Sequence, residues 1–198
     1  MRAARLTLEE RRVPYTLEEV DVFGADWNNL AALKRQPFGK IPAFDHAGFA
    51  LYETTAITRY VDEAFPGPAL QPTDPKRRAR MNQIIGILDS YLYRSLVWGV
   101  YMHKPEDGDE ALAAALAASR LALGELLRIM GDADFLDGGA LSLADLHAYP
   151  MFCYGVMKPE GQSMLADEFP MLRSWFEQMR LRPSAMSTMF PKEVAGAS

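Results

Sequence analysis

A single cysteine, Cys153, stands in a chain of 198 residues, so no internal disulfide can form and a cross-linked secreted scaffold is excluded. Histidine is scarce too: His46, His103 and His147 fall on a turn, a loop and a helical stretch, a spread with no ligand spacing for a shared metal. No basic start leads into the apolar run of a signal peptide. The longest apolar stretches, such as 112–118, fall far short of the roughly 20 residues that cross a bilayer. Neither a membrane span nor a membrane partner is expected, and the cytoplasm is the expected compartment. Positive charge is also in deficit, with 21 Lys and Arg against 26 Asp and Glu. A net charge of -5 offers no field to draw in a phosphate backbone, so nucleic acid is not an expected partner.

What remains has the proportions of a folded globular chain, 49% hydrophobic and 24% charged. The length suits one large domain or two modest ones. Ala4, Leu6 and Leu8 form an apolar helical stripe that ends before Val13-Pro14. Residues 15–22 mix β-branched and aromatic residues with acids in partial alternation, predicting an edge strand. Residues 27–34 read as helical. Short strands are expected at 41–44 and 49–52, joined by the turn chemistry of Asp45-His46-Ala47-Gly48. Ile57, Tyr60, Val61 and Ala64 then mark a helix running to about Phe65.

Pro66-Gly67-Pro68, followed by Pro72 and Pro75, interrupts regular structure and divides the chain into domains at 1–66 and 75–198. Asp74 is placed to cap the next helix, with Pro75 at its first position and Met81, Ile84, Ile85, Leu88, Tyr91 and Leu92 along one face. Leu112, Leu116, Leu123 and Leu127 mark another helix, and Leu172, Trp175, Phe176 and Met179 a late one. The second domain is therefore expected to be all-helical. Within it, Ser142 and Asp145 have the spacing of a capping box, with Leu141 and Leu146 at the positions of a hydrophobic staple. Cys153, among Tyr149, Phe152 and Tyr154, reads as an inert buried thiol. Lys76, Arg77, Arg78 and Arg80 read as a solvated basic face.

The stretch Gln36-Pro37-Phe38-Gly39-Lys40-Ile41-Pro42-Ala43-Phe44, the hairpin, and Leu51-Tyr52-Glu53-Thr54-Thr55-Ala56-Ile57 together resemble the glutathione site of cytosolic glutathione transferases. The Ser142 to Asp145 box is similar to the folding signature of that family's helical domain, so the resemblance covers nearly the whole chain. It implies a two-domain fold: a thioredoxin-like α+β domain, missing its first strand, ahead of an all-helical C-terminal domain. It also implies glutathione as co-substrate, no metal, a homodimer, and transfer of the glutathione sulfur to small apolar electrophiles. Ile41-Pro42 would be a cis peptide whose outward Ile41 backbone pairs with the cysteinyl backbone of glutathione, as a short strand would. The start of the helix at Glu53-Thr54 would hold the γ-glutamyl carboxylate, with Glu53 facing the ligand's ammonium group. Lys40 would pair with the glycyl carboxylate. Taken alone, Glu-Thr at a helix start also reads as plain capping. Trp98 and Tyr101 fall where the family's second domain faces the sulfur and would line an apolar co-substrate pocket, although core packing accounts for the same spacing.

Family members begin with a strand and a loop bearing the serine, tyrosine or cysteine that acts on the sulfur. This chain is expected to open inside the first helix, so no catalytic residue is assigned. An ordinary thiol, with a pKa of about 8.5, is only slightly ionised at neutral pH. The expected outcome is therefore retained glutathione binding with impaired transfer. The alternative is a non-catalytic binding or interaction module of the same fold.

Overall fold

A computed structural model describes residues 1–20 and 34–190. The chain divides into two compact units, Met1–Ala69 and Leu70–Ser198. The division falls inside the proline-rich stretch, where no regular element could continue.

The first unit opens with α1 (Arg2–Glu10), which buries Ala3, Ala4, Leu6 and Leu8. Its C-terminus is closed by amides reaching back, Arg12 N–H to the Glu9 carbonyl at 3.0 Å and Val13 N–H to the Leu8 carbonyl at 2.9 Å. Arg12 takes the left-handed conformation that this closure needs, at φ 57°. The edge strand expected at 15–22 does not form over residues 15–20, and 21–22 lie outside the described residues. A strand exists only through its ladder partner, and among the described residues none pairs with this segment. Tyr15 is held by side-chain bonds instead: its hydroxyl donates to Glu9 Oε1 at 3.0 Å and accepts from Arg5 Nε at 3.3 Å. Of the helix expected at 27–34, residues 27–33 lie outside the described residues.

Two antiparallel strands follow, β1 (Ala43–His46) and β2 (Phe49–Tyr52), in the register Ala43↔Tyr52 through His46↔Phe49. The two-residue turn between them, Ala47-Gly48, has φ of 53° and 86°. Positive values at both positions match the right-handed twist of a hairpin. Asp45 Oδ1 accepts the Gly48 N–H at 3.1 Å. β1 starts two residues later than expected, because Pro42 has no amide to give a ladder. The next helix, α2 (Thr54–Ala64), buries Ile57 and Val61 against Ala4 and Leu8 of α1, with Phe44, Leu51, Tyr15 and Phe65 packed around that cluster.

A buried cation locks the far end of this unit. Arg11 donates to the carbonyls of Phe65, Gly67 (2.9 Å) and Pro68 (2.7 Å) and pairs with Asp62 at 3.2 Å, both side chains 5% exposed. Burying a guanidinium is costly unless its donors are met, and here carbonyls left open past the end of α2 meet its two terminal nitrogens, while Nε stays without a partner. Gly67, at φ 144°, lies so close that an added Cβ would come within 2.7 Å of the Arg11 carbonyl.

Among the described residues of the second unit every regular element is a helix. Asp74 caps α3 (Pro75–Ile87) by accepting the Arg77 N–H at 2.8 Å. From Leu88 to Tyr101 the helix continues with wider, π-type hydrogen bonding, closed by Met102 N–H to the Val97 carbonyl at 2.9 Å. Then come α4 (Asp109–Met130), α5 (Leu143–Gly155), α6 (Pro159–Ser163), α7 (Pro170–Arg180) and α8 (Pro183–Ser187). α4 crosses the π-type segment at close range, since a Cβ on Gly99 would meet that of Ala115 at 2.5 Å. Leu172, Trp175, Phe176 and Met179 of α7 are all buried, and α5 is buried along nearly its whole length.

The capping box closes at the start of α5. Asp145 takes four donors: the Leu136 N–H (3.0 Å) and Trp175 Nε1–H (2.9 Å) on one oxygen, the Ser142 N–H (2.9 Å) and Oγ–H (3.0 Å) on the other. Burial pushes its carboxyl up to about 6 against the opposing pull of those bonds. Ser142 and Asp145 thus do more than start a helix. They tie α5 to the preceding loop and to α7.

Candidate functional site

The hairpin register determines which residues meet. Because Ala43 opposes Tyr52, the residues just beyond that pair, Lys40-Ile41-Pro42 on one side and Glu53-Thr54 on the other, gather at the open end of the hairpin. The approach to this end is a tight turn. Gln36 is buried, its Oε1 accepts the Phe38 N–H at 2.7 Å and its carbonyl accepts the Gly39 N–H at 3.2 Å. Gly39, at φ 59°, completes the reversal. Lys40 emerges exposed, Ile41 is 37% exposed, Pro42 is buried, and the Ile41-Pro42 bond is cis. The Phe38 ring, 65% exposed, leans edge-on against Tyr52 with centroids 5.9 Å apart.

On the other side the chain leaves β2 through Glu53, at φ 69° and ψ 119°. A residue other than glycine in this region carries backbone strain of roughly 1–3 kcal/mol, which persists only where the surroundings impose it. The helix bond from the Ile57 N–H to the Glu53 carbonyl, at 3.0 Å, shows that α2 starts immediately. The amides of Thr54, Thr55 and Ala56 therefore lie outside the helix ladder. The Glu53 side chain makes no capping hydrogen bond, and no acid occupies the first turn. The result is a positive helix end whose first turn carries no acid, beside the half-buried Thr54. Plain capping, the other reading of Glu53-Thr54, does not describe this geometry.

Aromatic packing holds the hairpin on α2. Tyr60 lies 5.2 Å from Phe49 and 6.1 Å from Phe44 between ring centroids, and its hydroxyl is 2.8 Å from His46 Nδ1. His46 also packs on Phe65 at 4.6 Å. Sequence reading put His46 on a turn without a role; as the last residue of β1, it fixes the strand that leads from Pro42. Among the described residues no group of three His, Cys, Asp or Glu side chains forms a metal site.

In the helical unit, the two expected pocket residues lie on the π-type segment. Trp98 is 59% exposed, whereas Tyr101 is half-buried, its ring 4.8 Å from Tyr154, which in turn stacks on Phe190 at 4.9 Å. Sequence spacing gave no sign of Tyr154 or Phe190 as partners of Tyr101. A small apolar void elsewhere in this unit, bounded by Leu96, Leu123, Phe152, Met164 and Leu165, includes neither Trp98 nor Tyr101. Cys153 is buried and forms no disulfide.

The chain is similar to known proteins in sequence and in fold. Residues 1–69 match the family model described as glutathione S-transferase, N-terminal domain, and residues 92–183 that of the C-terminal domain. Glutathione S-transferase F14 of Arabidopsis thaliana is 30% identical over 206 residues, covering 96% of this chain and 79% of that protein. Glutathione S-transferase hmp2 of Hypomyces subiculosus is 31% identical over 187 residues, 89% of this chain and 87% of that one. The crystal structure of glutathione transferase F7 from Populus trichocarpa superposes with a TM-score of 0.83 at 22% identity, covering 94% of this chain and 91% of that one.

Proposed function

Because the chain belongs to the glutathione S-transferase family, we propose that it binds glutathione at the open end of its hairpin and transfers the sulfur to small apolar electrophiles, as a homodimer in the cytoplasm. The observation that carries this reading is the start of α2, where a strained Glu53 that makes no capping hydrogen bond opens a helix whose first turn carries no acid. Three first-turn amides, the helix dipole and the Thr54 hydroxyl suit the γ-glutamyl carboxylate, and the Glu53 carboxylate suits the adjacent ammonium. Across the hairpin end, the Ile41 backbone before Pro42 pairs with the cysteinyl backbone, and exposed Lys40 meets the glycyl carboxylate.

The reaction then needs the thiol as thiolate, since that form is the nucleophile. Its lone pair forms the new C–S bond, the leaving group departs with the electron pair of the broken bond, and the thiol proton passes to solvent. Trp98 and Tyr101 supply apolar surface for the electrophile. The exposed Phe38 ring supports an association surface for a second copy.

Calorimetric titration with glutathione, together with conjugation of an apolar halonitroarene followed by absorbance, tests the reading. Saturable binding and glutathione-dependent product are expected. Binding without product would leave the non-catalytic module, and the absence of both would overturn the assignment.

A further inference from the structure

We propose that Tyr60 and His46 are positioning residues for glutathione: their hydrogen bond fixes the tilt of the hairpin on α2 and with it the spacing between the two halves of the site. The inference rests on reading the open end of the hairpin as the glutathione site, and every residue it involves belongs to the first unit. One half of the site, Ile41, leads into β1, and the other, Thr54, is the first residue of α2. A ligand that holds both needs them at a set distance, since groups in a binding site must stand within about 0.5 Å of their working positions.

Among the described residues the hairpin has no third strand, and two strands alone are marginally stable, so side chains packed on α2 set its tilt. Toward the open end that packing is apolar: Phe44 and Leu51, opposite each other in the ladder, pack against the cluster that holds Ile57 and Val61. Apolar contact has no preferred direction and leaves the hairpin free to rock about that point. The second point lies at the turn, where His46 and Phe49 form the last pair of the ladder. Tyr60 meets both, its ring 5.2 Å from that of Phe49 and its hydroxyl 2.8 Å from His46 Nδ1. A hydroxyl and an imidazole nitrogen can each donate or accept, so this bond forms in either tautomer, and a hydrogen bond has a preferred length and angle. A four-residue strand such as β1 is roughly 10 Å long from end to end, and it acts as a lever: when the turn end shifts, the open end and Ile41 shift the other way. Without the bond only a fraction of the molecules hold the two halves at the ligand's spacing, and the apparent affinity falls by that fraction.

Calorimetry with glutathione on the full chain reads the affinity, and urea unfolding of the same preparations reads the stability. Tyr60→Phe keeps the ring and removes the bond. It is expected to weaken glutathione binding about two- to tenfold, the range of one neutral hydrogen bond. A residue that only stabilised the fold would lower the urea midpoint and leave the affinity of the folded chain unchanged. His46→Leu removes the same bond, so adding Tyr60→Phe to it should cost little more, the coupling that a double-mutant cycle detects. His46→Asn puts an amide oxygen or nitrogen where Nδ1 stands and should bind glutathione more tightly than His46→Leu. An unchanged affinity in Tyr60→Phe, additive losses in the double variant, or equal binding by His46→Asn and His46→Leu would overturn the proposal while leaving the glutathione site in place. If a His46 variant does not fold, Tyr60→Phe alone decides. Failure of the wild type to bind glutathione would overturn the proposal together with the reading on which it rests.

Discussion

Replacing Asp145 with asparagine should change how the helical unit responds to pH, and the structure sets both sign and size. Four buried donors converge on this carboxylate, which favours the anion. Burial of the charge nevertheless outweighs them and raises the group from 3.8 to about 6. The acid form has somewhere to put its proton, because of the four partners only the Ser142 hydroxyl can turn from donor to acceptor. A rise of about two units corresponds to roughly 3 kcal/mol. Between about pH 4 and pH 6 the folded chain keeps a proton that the unfolded chain has released, so raising the pH through that window favours unfolding. The contribution of Asp145 is thus greatest below pH 4 and about 3 kcal/mol smaller above pH 6.

Asp145→Asn removes this titration. Its carboxamide oxygen serves two donors while its NH2 confronts the other two, which leaves buried donors unmet at roughly 1–3 kcal/mol each. Urea unfolding at a series of pH values, followed by Trp fluorescence, measures the difference between wild type and variant. Trp175, bonded to Asp145, reports on the site itself. Taking the difference cancels other titrating groups. The wild-type advantage should shrink by about 3 kcal/mol from pH 4 to pH 7, and an advantage that stays flat or grows would refute the assignment of a protonated, buried Asp145.

Thr54→Ala should weaken glutathione binding more than Lys40→Ala, because a helix end and a hydroxyl act together on one carboxylate while Lys40 is exposed; calorimetry on both variants gives the order. Glu53→Gly should raise stability by about 1 kcal/mol by releasing the strain at φ 69° while lowering glutathione affinity, two opposite signs read by urea unfolding and titration of a single variant. Arg11→Met should destabilise the first unit by about 3 kcal/mol, since it leaves Asp62 without its cation and three carbonyls without their donor. Sedimentation should give a dimer, and a single monomer species across micromolar concentrations would contradict it.

Features legible in the sequence are those whose cause is local. The hairpin follows from four turn residues, the Asp74 cap from one acid before a proline, and the α5 start from a Ser and an Asp three apart. Features that escaped depend on partners far along the chain. Residues 15–20 have strand composition, but composition supplies no ladder. Arg11 sits at a helix end, and its burial depends on carbonyls more than 50 residues away, at Phe65, Gly67 and Pro68. Half of the Asp145 bonds run to Leu136 and Trp175, outside any capping motif. The site combines the two cases. Its residue types lie in two short motifs, yet their meeting depends on the register Ala43↔Tyr52, and that register is held by Tyr60 against Phe44, His46 and Phe49. A motif can therefore survive in sequence while its site is lost by a change at Tyr60, which no reading of the motif alone would flag.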